Sequence, residues 1–119
     1  MALPFSRSTL FITLTVFVLC LSLSHLPFMS NAQDGTATFY TPPYTPSACY
    51  GYEDEGTMIA AASDEIWNNG AACGKMYQVK IVDYCPSAGC RSTIDLSQEV
   101  FASIADPDSG VINISYQQV

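Results

Sequence analysis

Apolar and polar residues alternate most clearly in two places. From Val79 to Tyr84, the β-formers Val79, Ile81 and Tyr84 are interrupted by Lys80 and Asp83, which predicts a strand. From Val111 to Tyr116, Ile112, Ile114 and Tyr116 fall on one side and Val111, Asn113 and Ser115 on the other, which predicts a second strand. Ala37–Tyr40 and Thr93–Ser97 read as two more short strands. Thr57–Ala62 is small and apolar and is expected to be buried.

Helical spacing is sparse. Ser97 is placed to cap a helix with Glu99 in its first turn, and Val100, Phe101, Ile104 and Ala105 share one face. Asp106-Pro107 ends that helix. Ser63 is placed to cap a shorter one with Asp64 and Glu65 in its first turn, and Asn68-Asn69-Gly70 closes it with residues that tolerate positive φ. Between the first two strands, Thr41-Pro42-Pro43-Tyr44-Thr45-Pro46 forbids regular structure, because three prolines fix φ and remove donors. That loop makes Tyr44 the aromatic expected to be most exposed. The whole reads as a mostly β domain with one or two short helices.

The first third of the chain belongs to a different pattern. No charged residue stands between Arg7 and Asp34, the run Leu10–Leu21 is densely apolar, and Ser30-Asn31-Ala32 supplies small residues for a peptidase. This predicts a secretory leader over residues 1–32, with no membrane insertion once it is cleaved. The mature chain is then residues 33–119, 87 of the 119, one small domain of the size that often needs covalent help.

Losing the leader changes the chemistry that remains. Cys20 and His25 go with it, so five cysteines become an even four and the only histidine is lost. No histidine-based nucleophile or zinc site can be assembled from the mature chain. Losing Arg7 moves the formal net charge from −7 to −8. Nucleic acid and anionic lipid are therefore excluded as charge-driven partners. No metal or other cofactor is implied, and the domain reads as a monomer. Cys85 and Cys90 flank a four-residue turn and form the natural local disulfide, which leaves Cys49 to pair with Cys73. A four-cysteine zinc site is the alternative, with spacings unlike a zinc ribbon. Asn113-Ile114-Ser115 is a glycosylation sequon, with Asn113 on the polar side of its strand.

Five stretches occur in a recognisable order: Ala37-Thr38-Phe39-Tyr40, Ala48-Cys49-Tyr50-Gly51, Trp67 through Gly74, Val82-Asp83-Tyr84-Cys85, and Ile94-Asp95-Leu96-Ser97 with Phe101. Together they resemble the plant natriuretic peptide-like proteins, whose single domain is similar to the first domain of expansins and to family-45 endoglucanases. The resemblance implies a six-stranded double-psi β-barrel, secreted to the apoplast or cell wall. It also implies a role in water and solute homeostasis, exerted through a cell-surface receptor. That reading is placed first. Binding of cell-wall polysaccharide without hydrolysis is the alternative, with Thr38, Tyr40, Tyr44, Asp83 and Asp95 as the candidate residues. Hydrolysis comes last and no catalytic residue is assigned. Asp95 matches the general acid of the endoglucanase relatives, but their second aspartate falls on Pro42, which carries neither charge nor proton.

One departure from the family pattern matters. Cys73-Gly74-Lys75-Met76-Tyr77-Gln78 runs straight into Val79, where the relatives carry a hairpin and a further cysteine pair. The barrel is thus expected to be incomplete, and an opened barrel leaves a strand edge that needs cover or a partner.

Overall fold

The computed structural model describes residues 31–119. The leader reading of residues 1–32 lies almost wholly outside them. The described chain forms β1 (Gln33–Tyr40), β2 (Ile59–Ala62), α1 (Asp64–Trp67), β3 (Lys80–Tyr84), β4 (Ile94–Ser97), α2 (Gln98–Ile104) and β5 (Ile112–Tyr116). Short 3-10 turns occupy Asn68–Gly70 and Pro107–Ser109.

The five strands make one sheet in the order β3-β2-β4-β1-β5. β4 is central. It runs parallel to β1, pairing Thr38 with Asp95 and Tyr40 with Ser97, and antiparallel to β2, pairing Ala60 with Leu96. β2 is buried at all four positions, and its three alanines let the neighbouring elements approach closely. It pairs in parallel with β3. β5 lies antiparallel to β1 at the far edge. The mostly β, double-psi-type architecture is therefore present with five strands in place of the six that the resemblance implies. The difference has a local cause. Chain 74–80 turns back at once, bridging Met76 to Lys80, with Gln78 at φ 66° in the turn. There is no length left for another strand.

The core lies between the sheet and α2. Phe101 and Val100 are buried, and the Phe101 ring meets Phe39 at 4.8 Å. Ser97 caps α2 as expected: its hydroxyl accepts from the Val100 N–H and donates to the Thr57 carbonyl. Ser63 differs. It occupies the N-cap position of α1 but makes no side-chain cap bond, and its hydroxyl is buried without a hydrogen-bond partner. A four-residue helix has too few turns for its cap to be aimed by helical geometry alone. Two apolar positions also depart from expectation. Met58 and Ile104 are 60% and 59% exposed: α2 rests on the sheet through Val100 and Phe101, which turns Ile104 outward, and Met58 lies just before the buried run of β2.

Disulfides join Cys49 to Cys73 and Cys85 to Cys90. With all four sulfurs bonded in pairs, they are not thiolate ligands for zinc. The Cys73-Gly74 step needs its glycine. Gly74 has φ 77°, its N–H donates to the Ile81 carbonyl, and a Cβ there would come within 2.7 Å of the Tyr50 hydroxyl.

Candidate functional site

The parallel register of β1 and β4 sets Thr38 beside Asp95. The Thr38 hydroxyl donates to Asp95 Oδ1 at 2.8 Å, and the Ser92 hydroxyl lies 2.6 Å from Thr38 Oγ1. Thr38 is buried and Asp95 half-buried. Burial is the main influence on Asp95 and holds its carboxyl above the usual aspartate range. The Asp83 charge adds to that rise, while the Thr38 hydrogen bond and the Arg91 charge oppose it.

Tyr40 is two residues further along β1. Its hydroxyl oxygen is buried and has no hydrogen-bond partner among the described residues. Burial raises its pKa far above the ordinary tyrosine value, and the charges of Asp83 and Asp95 push it the same way. A neutral phenol therefore faces two carboxylates with an unused donor.

Asp83, at the end of β3, is partly committed. Its Oδ1 accepts from the N–H groups of Ala48 and Tyr84. That fixes the loop carrying Cys49 against the sheet, so this candidate has a structural duty beside any role toward a ligand. Tyr44 requires a correction. It is half-buried, not the most exposed aromatic, because its hydroxyl donates to Glu99 and accepts from the Gln98 N–H at 3.2 Å. Burial first, then the Glu99 bond, push its pKa up to about 12. Its ring stands edge-on to Tyr40 at 5.1 Å, so Tyr44 contributes a wall and not a free hydroxyl. Among the described residues the most exposed aromatic is Tyr52, at 83%. Ser92 was missed by sequence reasoning; its position just before β4 was the only available signal. Nearby, Trp67 stacks on Tyr84 at 4.8 Å, and the Tyr84 hydroxyl donates to Asp64.

The raised carboxyl of Asp95 has a consequence for stability. The folded chain keeps that proton to higher pH than the unfolded chain does, so folding is opposed increasingly as pH rises through the interval above the ordinary aspartate value. Asp95→Asn removes the charge and keeps an acceptor for Thr38. The variant is expected to melt above the parent near neutral pH, with the gap closing toward about pH 4. A gap independent of pH would show that charge burial is not the cause.

Parallel β1–β4 pairing inside a small mixed sheet, with a threonine-bound aspartate at its centre, defines an expansin-like domain of the double-psi barrel class. The family model DPBB_1, described as lytic transglycolase, matches residues 78–116. The EG45-like domain containing protein of Citrus jambhiri is 48% identical, over 90% of this chain and 94% of that protein. Putative EG45-like domain containing protein 1 of Arabidopsis thaliana is 47% identical, over 93% and 98%. Among solved structures, apo Clavibacter michiganensis expansin superposes with a TM-score of 0.60 at 26% identity, over 74% of this chain and 50% of the expansin. A variant of that expansin is in complex with cellohexaose; it superposes with a TM-score of 0.55 at 25% identity, over the same shares. The chain belongs to the EG45-like domain family. The Citrus alignment runs for 128 positions yet draws on 90% of a 119-residue chain, so this chain skips positions its relative fills.

Proposed function

We propose that this chain is a secreted protein of the plant cell-wall space that binds a β-glucan chain without cleaving it. The bound chain lies across Thr38, Tyr40, Asp83 and Asp95, with Tyr44 as a wall. The observation that carries this reading is the Tyr40 hydroxyl, a buried donor with no partner beside two carboxylates. A buried donor left unmade costs free energy and needs an explanation, and a ligand that displaces the groups over Tyr40 and accepts from its hydroxyl supplies one. Sugar hydroxyls suit the set: they accept from Tyr40 and donate to the carboxylates. The cellohexaose complex of the expansin supports the same ligand class. The leader reading and the two disulfides support export to an oxidising compartment.

Hydrolysis by inversion needs a second carboxyl group to act as base. By the family resemblance the position of that second carboxyl falls on Pro42, and one oxygen of Asp83 is already held by two backbone donors. Purified protein is expected to be retained on insoluble cellulose or xyloglucan and to release no reducing sugar. Intact mass should show a chain starting at Gln33, both disulfides, and an endoglycosidase-sensitive glycan at Asn113, which is exposed.

Tyr40→Phe separates this reading from a purely structural one. Glycan retention is expected to weaken roughly three- to tenfold, the worth of one hydrogen bond, while stability holds or rises by up to about 1 kcal/mol. Retention equal to the parent would sink the assignment of Tyr40.

The receptor reading has its own support. Cys49–Cys73 ties down the loop before β2, which exposes Tyr52, Glu53 and Asp54, and no lysine or arginine occurs between Asp34 and Gly74. A receptor for this loop would present basic groups. Protoplast swelling by the oxidised protein, abolished by Tyr52→Ser with Glu53→Gln, tests it; no swelling by the parent rejects it.

A further inference from the structure

Where the chain turns back at Tyr77–Val79, the molecule has a groove of about 540 Å³. Met58, Tyr77, Val79, Ile104, Ile114 and Val119 are among its lining residues, and none of the lining residues is Asp, Glu, Lys or Arg. Three of the large apolar side chains most exposed to solvent, Met58, Ile104 and Val119, stand around it. This is a concentrated apolar patch on a small acidic domain.

One side of the groove is β5. It is an edge strand, hydrogen-bonded to β1 alone among the described strands. It lies in the run Ser109–Val119, eleven residues without a charge, proline or interior glycine beyond Gly110. Such a strand is a template for pairing, and edges of this kind are ordinarily blunted by charge, bulge or cover. None of those devices is present along Ile112–Tyr116.

We infer that the β5 edge and the apolar groove beside it form a two-fold interface with a second copy of this chain, β5 pairing antiparallel with β5 of the partner. Three features select a second copy over another occupant. First, the strand is self-complementary: centred on Ile114, the pairing sets Ile114 opposite itself and Ile112 opposite Tyr116. These are the core-packed side chains, so both copies add apolar surface on the groove side. Second, Asn113 is exposed and is not among the groove's lining residues, which leaves room for a glycan there, while Ser115 adds a small uncharged side chain to the groove. Third, the mature chain carries a net charge near −8, so two copies can approach closely only where charged side chains are absent, and the groove is such a surface. The two-fold operation uses the same patch on both partners and closes, as an isologous interface must. A dimer departs from the monomer expected from the sequence, and the sedimentation test decides between the two.

The test uses protein expressed from the full coding chain and purified, oxidised, from the medium of a secreting host. Sedimentation velocity over about 1 to 100 µM should show a dimer whose fraction grows with concentration. Raising salt from about 0.05 to 0.5 M should strengthen it, because screening relieves repulsion between acidic copies; an interface made of ion pairs would weaken. Ile104→Glu, at an exposed position on the groove rim, should raise the dissociation constant at least about tenfold, while Tyr52→Ser leaves it unchanged. Amides of Ile112–Tyr116 should gain exchange protection on dimerisation. A single monomer boundary at the highest concentration in both salts overturns the inference. So does a dimer that forms without added protection along β5, or one that Ile104→Glu leaves intact in a variant folded by circular dichroism.

Discussion

Phe101→Ala is expected to lower the unfolding free energy by about 3 to 5 kcal/mol. The side chain is fully buried and is among the largest such side chains in the domain. It projects from α2 onto Phe39 of β1 and is the main reason that a seven-residue helix docks at all. A helix this short is not stable alone, so packing must hold it. Removing the ring leaves a cavity against Phe39 and the paired strands β1 and β4, whose hydrogen-bonded backbones cannot collapse into the space. Typical domains have only about 5 to 15 kcal/mol in hand. The variant should therefore unfold at much lower denaturant, and a conservative Phe101→Leu control should lose less. A loss below about 1 kcal/mol would mean that α2 is not anchored by this residue.

Opening the longer disulfide should cost nearly as much. With Cys49 and Cys73 both changed to Ser, the chain-entropy treatment gives about 3.5 kcal/mol for a 25-residue closed loop, against about 2 kcal/mol for the six-residue loop of Cys85–Cys90. The effect should reach the candidate site as well. Cys49 donates its N–H to the Val82 carbonyl, and its neighbour Ala48 donates to Asp83, so the disulfide holds the loop that occupies one oxygen of that carboxylate. Denaturant melts of the two double-serine variants should rank 49/73 as the more damaging. Equal losses would mean that loop length is not what the bridges act through. Glycan retention should fall more in the 49/73 variant than its residual folded fraction explains.

The elements that local pattern could announce are the ones found where they were read. Ser97 caps α2, the strand after Arg91 is β4, and Ile112, Ile114 and Tyr116 share the inward side of β5. Each of these signals repeats within a few residues, so side-chain order along the chain carries it. The missing hairpin was legible only against the family resemblance, as a shortage of residues between Gly74 and Val79 relative to that pattern. Tyr44 was misjudged because prolines describe its own loop and say nothing about Glu99, 55 positions away, which takes its hydroxyl bond. Ile104 was misjudged because helical periodicity marks a face without showing how far the opposing surface extends.

Short-range alternation and cysteine spacing determined a mostly β domain and its two cross-links, and the order of motifs, read as a family resemblance, implied the barrel and the place where it falls short. The site was decided by pairing across distance. Thr38 meets Asp95 only because β1 and β4 run parallel in one register, and the Tyr40 hydroxyl is left without a partner only because other groups bury it. Register and burial depend on contacts between residues more than fifty apart, and a linear pattern with a period of two or four residues holds no record of them.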